Sequence, residues 1–91
     1  MWKVKFAEKA EKQFSKLPRN IKENIAKAIR EKLLVDPDLY LSRLSGPMRS
    51  YYKFRVTDYR LICLKLDKKL IITVISIGRR INIYSKTESL H

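Results

Sequence analysis

Residues 51–84, YYKFRVTDYRLICLKLDKKLIITVISIGRRINIY, decide how the rest of the chain is arranged. Apolar residues alternate or run together over Tyr51–Val56, Tyr59–Leu66 and Leu70–Ile77, which predicts three strands. Thr57-Asp58 and Asp67-Lys68-Lys69 are short enough to close tight turns, so the strands form an antiparallel meander. Side chains alternate faces along a strand. Tyr52, Phe54 and Val56 therefore point to one side, and Tyr51, Lys53 and Arg55 to the other. The middle strand is apolar on both sides except at Arg60 and Lys65, which predicts a central position. Lys65, Lys68 and Lys69 read as turn and edge residues.

Working outward, Trp2, Val4 and Phe6 alternate with Lys3 and Lys5, the period of a further strand. Ala7, Ala10, Phe14 and Leu17 then fall at helical spacing. Pro18 interrupts that helix and suits an early position of the next. Ile21, Ile25, Ala28, Ile29 and Leu33 make a second stripe, which Asp36-Pro37 stops. So short a link predicts an antiparallel helical hairpin. Residues 36–50 read as a connection, with a turn at Gly46-Pro47 and with Leu39, Leu41 and Leu44 tucked under the helices. The expectation is one α+β domain over residues 1–91. It has an N-terminal strand, a helical hairpin and a three-strand antiparallel meander, with the helices on one face of the sheet.

Hydrophobic residues make up 45% of the 91 residues and there are only two glycines, which excludes a disordered chain. The 21 Lys and Arg against 9 Asp and Glu leave a net charge of +12, which points to a polyanionic partner, RNA or DNA before an anionic membrane. Eleven of those bases but only three acids lie from Leu39 onward. In the helical part, Glu8, Glu11, Glu23 and Glu31 interrupt the bases, as on a solvated surface. Cys63, the sole cysteine, excludes an internal disulfide and reads as a small core residue. No Cys/His cluster argues for zinc or another cofactor, and the single histidine is the terminal His91. With no signal peptide and no apolar run long enough to span a bilayer, a cytoplasmic protein is expected.

Cations inside strands need a reason. Lys53 and Arg55 are about 7 Å apart on one face, and the hairpin turn returns Arg60 to Arg55. Arg80 and Tyr84 follow the last strand, and only Asp58 is close in sequence to neutralise the group. Unpaired crowded cations are costly unless an anion lies between them, so a phosphate site is expected. Such a site can also cleave RNA. Attack of a 2′-OH on phosphorus builds charge on the phosphoryl oxygens, and preorganised arginines stabilise it. Arginines disfavour a further charge on a neighbouring lysine and favour a tyrosine anion. Lys53 and Tyr84 are thus candidates for proton transfer, with Arg55, Arg60 and Arg80 as charge stabilisers. Arg43, Arg49 and Arg79 are candidates for further RNA contacts. Simple phosphate binding without catalysis satisfies the same pattern.

Two motifs carry a family resemblance. YKFRVTDYRLI resembles the Y-R-x-R-x-G-D-Y-R hairpin of the RelE/ParE toxin superfamily, and VISIGRRINIY resembles that superfamily's closing V-x-x-I/V-G-H-R-x-x-V-Y segment. The order of strand, helical hairpin and meander is also similar. The resemblance implies a type II toxin, most often an mRNA endonuclease working on the ribosome. It would cut without metal and leave a 2′,3′-cyclic phosphate and a 5′-OH. By matching position it assigns Lys53, Arg55, Arg60, Arg80 and Tyr84 to the site. It also implies a cognate antitoxin, for which an acidic helical segment suits this surface. The sequence departs from the pattern at Arg79, where His is frequent, and at Thr57, where Gly is usual. Two other outcomes are compatible with it: a ParE-like inhibitor of DNA gyrase, which tends to lack this residue set, and a non-catalytic RNA-binding module.

Overall fold

The computed structural model describes residues 1–79. The elements run β1 (Lys3–Phe6), α1 (Glu8–Ser15), α2 (Arg19–Ala28), α3 (Pro37–Tyr40), β2 (Ser42–Arg43), β3 (Tyr52–Val56), β4 (Tyr59–Leu66) and β5 (Ile71–Arg79). The α2 helix continues as a wider π turn over Ile29–Leu33, and a 3₁₀ turn spans Gly46–Met48. The sheet order is β1-β5-β4-β3-β2, with β1 parallel to β5 and the other pairs antiparallel. The meander and the central position of β4 are as the apolar pattern and the short turns predict. The first strand returns to the sheet beside the last one, through the helical hairpin.

The apolar stripes define the core. Ala10 from α1, Ile25 from α2 and Leu33 from the π turn are fully buried, against Phe54, Val56, Leu61, Cys63, Ile72, Val74 and Ile77 of the sheet. Phe6 and Phe14 meet edge to face, with ring centroids 5.4 Å apart, where β1 passes into α1. Burial pushes the Cys63 thiol up to about 12, so it stays a neutral packing residue at ordinary pH. No helix among the described residues is long and apolar enough to cross a membrane.

Three details differ from the sequence expectation. The connection 36–50 contains structure: Asp36 accepts a bond from Leu39 N–H at 3.3 Å and so caps α3, and Ser42–Arg43 adds a fifth strand. Leu41 is buried there, but Leu39 is 69% exposed instead of tucked under the helices. Its neighbour Asp38 reaches Lys65. Lys65, expected at a free edge, holds both Asp38 and, at 3.3 Å, Asp67, with its side chain only 10% exposed. The hydrogen bond to Asp38 holds its ammonium above the usual lysine range. A cation so enclosed is tolerable because two carboxylates face it.

The third difference is a bulge. Ile62 pairs with Ser76 but the next residue, Cys63, pairs with Val74, so Ile75 is inserted. Val74 and Ile77 thereby both face the core, although simple alternation would separate them. Beyond the end of β1, the Ile77 N–H lacks a strand partner. Gln13 of α1 supplies one, its Oε1 accepting at 2.7 Å.

These features generate two predictions. Gln13→Ala strands the Ile77 N–H and lowers stability by about 1–3 kcal/mol, whereas Gln13→Glu, which keeps an acceptor, stays closer to wild type; urea unfolding measures both. Thr57 opens the β3–β4 turn at φ +52°, a left-handed conformation that costs a branched residue roughly 1–2 kcal/mol. Thr57→Gly relieves it and, after glycine's greater unfolded-state entropy, gains about 0.5–1 kcal/mol. The thermal midpoint should rise by a few degrees.

Candidate functional site

The face of the sheet turned away from the helices holds the sequence-predicted cations. The turn Thr57-Asp58 sets the register of β3 on β4, so that Arg55 sits directly opposite Arg60. Across β4, Arg60 faces Gly78 of β5. Glycine adds no side chain of its own to that row. One row along, Ser42, Lys53, Ile62 and Ser76 are in register across β2, β3, β4 and β5. Ser42 is next to Lys53 in that row, and Ser76 stands beyond Ile62. Sequence reading assigned them no role, because the two-residue β2 and the bulge at Ile75 had no clear signature.

Burial separates the three cations. Arg55 is exposed, Lys53 is half-buried, and Arg60 is the buried charged residue among the described ones, at 6% exposure. Arg55 Nε donates to the Thr57 carbonyl at 3.3 Å, which ties its guanidinium to the turn. Arg60 Nη1 donates weakly to the Tyr59 carbonyl at 3.5 Å. Among the described residues the ion pairs join Lys12 to Glu8, Arg19 to Glu23, and Lys65 to Asp38 and Asp67; none involves Lys53, Arg55 or Arg60. Lys65 and Arg60 thus make opposite cases of a sequestered cation. The first has its counter-charges built in, and the second faces another arginine. Two guanidinium groups in register repel each other, and an anion between them removes the repulsion and makes charge-assisted hydrogen bonds to both.

The remaining candidates are placed differently. Arg43 pairs with Tyr52, on the helix-covered side of the alternation, and its Nη2 donates to the Tyr52 hydroxyl at 2.6 Å. The Lys65 ammonium lies 5.3 Å from the same ring. Arg79 is exposed at the end of β5, opposite Tyr59 and 6.0 Å from its ring centroid. Neither shares the face of Arg55 and Arg60. Arg49 is exposed just after the 3₁₀ turn, ahead of β3. Arg80 and Tyr84 lie outside the described residues. No group of three His, Cys, Asp or Glu side chains that could hold a metal ion gathers among the described residues.

Comparison with known proteins bears on the family and the fold. The family described as ParE toxin of type II toxin–antitoxin system, parDE, matches residues 4–84. The mRNA interferase toxin RelE of Escherichia coli strain K12 is 34% identical over 76 residues, which cover 82% of this chain and 79% of that one. The crystal structure of isolated E. coli RelE superposes with a TM-score of 0.71 at 29% identity, over 98% of this chain and 97% of its own. The toxin–antitoxin complex RelBE2 of Mycobacterium tuberculosis contains a chain with the same fold, at a TM-score of 0.81 and 20% identity, covering 87% of this chain and 98% of that chain. With the family matched over nearly the whole sequence, and the strand order and cationic hairpin in place, the chain belongs to the RelE/ParE superfamily of type II toxin–antitoxin toxins.

Proposed function

We propose that this toxin is an mRNA endonuclease that acts on ribosome-bound message, by attack of a 2′-OH on the adjacent phosphate. The observation that carries the proposal is the register pair Arg55–Arg60 beside Lys53, with no carboxylate neutralising them among the described residues. The kinship with the interferase RelE supports the same reading.

In this reading the scissile phosphate sits over Arg55 and Arg60, with Arg80 completing the cationic set. The 2′-oxygen bonds to phosphorus as the bond to the 5′-oxygen breaks, giving a 2′,3′-cyclic phosphate and a 5′-OH. One proton leaves the 2′-oxygen and one is gained by the 5′-oxygen; Lys53 and Tyr84 are the proton-transfer pair. The arginines stabilise the charge that grows on the non-bridging oxygens, and the reading requires no metal for that role. Arg43, Arg49 and Arg79 lie off this row and serve, in the proposal, as outer contacts to the RNA backbone. An antitoxin partner is supported by the several matched structures that are toxin–antitoxin complexes. An acidic helical segment that neutralises the cationic face would switch the toxin off. The same cytoplasmic setting follows from a ribosomal target.

The family description names ParE, and this supports one competing reading, a gyrase inhibitor on the same fold. Purified toxin on programmed ribosomes separates the two. Arg80→Ala and Tyr84→Phe should each lower the message-cleavage rate by about 100-fold or more, with unchanged circular dichroism and with 2′,3′-cyclic phosphate ends on the residual product. No cleavage by wild type, together with inhibition of gyrase supercoiling, would replace the nuclease with the ParE-like function.

A further inference from the structure

The face of the sheet away from the helices is graded along its strands. The row at the turn end is cationic, Arg55–Arg60, closing on Gly78. The next row is mixed, Ser42, Lys53, Ile62 and Ser76. Tyr51 precedes β3, and continuing the β3–β4 register by one residue brings it opposite Leu64, which pairs with Thr73. On the other side the Leu44 N–H donates to the Tyr51 carbonyl at 3.0 Å and extends the β2–β3 ladder by one residue. That third row is aromatic and aliphatic over Leu44, Tyr51 and Leu64, all half-buried, and continues through Thr73 to the exposed Lys5 of β1.

Tyr51 is not there to fill the core. Tyr52 and Tyr59 pack against the buried cluster, and Tyr51 does not. Its backbone is held firmly, however. The 3₁₀ turn Gly46–Met48, opened by Gly46 at φ +63°, brings the Met48 carbonyl to the Tyr51 N–H at 2.9 Å. An aromatic side chain fixed at its backbone, on the same face as two cations, has the components of a single-strand nucleic-acid platform. Alternate residues are about 7 Å apart, so Tyr51, Lys53 and Arg55 form one line of ring, ammonium and guanidinium. Single-stranded chains are held by backbone cations and by stacking of bases on aromatic faces.

We propose that Tyr51, flanked by Leu44 and Leu64, is a base-stacking subsite for a nucleotide further along the strand, about 14 Å from the phosphate held at Arg55 and Arg60. The ligand class is single-stranded RNA, and the subsite rests on the RNA reading of the cationic face, though not on cleavage. The aromatic face accepts any base, with purines favoured by their larger stacking area. Tyr51 thus positions the strand while the cations hold its phosphates.

The test uses a six-nucleotide single-stranded RNA carrying 2-aminopurine, whose fluorescence falls on stacking, titrated with the full-length protein at low salt. Wild type, Tyr51→Phe and Tyr51→Trp should bind and quench the probe. Tyr51→Ala should bind roughly tenfold or more weakly and lose the quenching, while its salt dependence, set by the phosphate contacts, keeps its slope. Tyr51→Leu retains bulk without a π face and should behave like Tyr51→Ala; it carries the test if the alanine variant fails to fold. An unquenched wild-type complex, or leucine and alanine variants that match Tyr51→Phe in affinity and quenching, overturns the subsite. Ribosomal cleavage is scored separately. A protein that shows the Tyr51 pattern but never cuts keeps the subsite and loses the nuclease, and one that cuts with no Tyr51 effect does the reverse.

Discussion

Two arginines held opposite each other by a hairpin turn, with no acid provided for them among the described residues, are the constraint on which this toxin's structure is built. Like charges at a cross-strand pair destabilise a sheet, and Arg60 is also almost wholly removed from solvent. The fold tolerates this because the other face of the same strands is well packed. Phe54, Leu61 and Ile77 sit in register on that face and are nearly fully buried. Each of these side chains stabilises the fold by roughly 1.5–3 kcal/mol through burial alone. The helical hairpin is the counterpart that makes this burial possible, and its Gln13 closes the one stretch of β5 that β1 leaves open.

Lys65 shows what the protein does with a sequestered cation that has a structural task. It is enclosed by Asp38 and Asp67 and sits over the Tyr52 ring, so that it ties α3 and the β4–β5 turn to the sheet. Arg43 engages the hydroxyl of the same tyrosine. These residues form a satisfied polar cluster on one side of the sheet. Lys53, Arg55 and Arg60 form a cluster on the other with no carboxylate partner among the described residues, and the contrast is the physical basis for reading the second as a binding site.

The fold was largely legible because its signals are local. Alternation marks β1 and β3, an apolar run marks β4, helical stripes mark α1 and α2, and the Thr57-Asp58 turn alone returns Arg60 to Arg55. What escaped was non-local. A strand as short as Ser42–Arg43 has no periodicity to detect, and it exists only because β3 offers an edge. The inserted Ile75 breaks the period of two, so the burial of both Val74 and Ile77 could not follow from alternation. Lys65 looked like an edge lysine because its partner Asp38 is 27 residues away. Arg43 and Arg79 were expected to add RNA contacts beside the site, and only the register shows them on the other side of the sheet.

Transcript ends mapped in cells after a brief pulse of expression test the central claim most directly. The account predicts new 5′-OH and 2′,3′-cyclic phosphate ends within coding regions for wild type, and their loss in a folded Arg60→Gln variant that keeps the bulk but not the charge. Cleavage that persists undiminished in Arg60→Gln, or growth arrest by wild type without any new transcript ends, would contradict it.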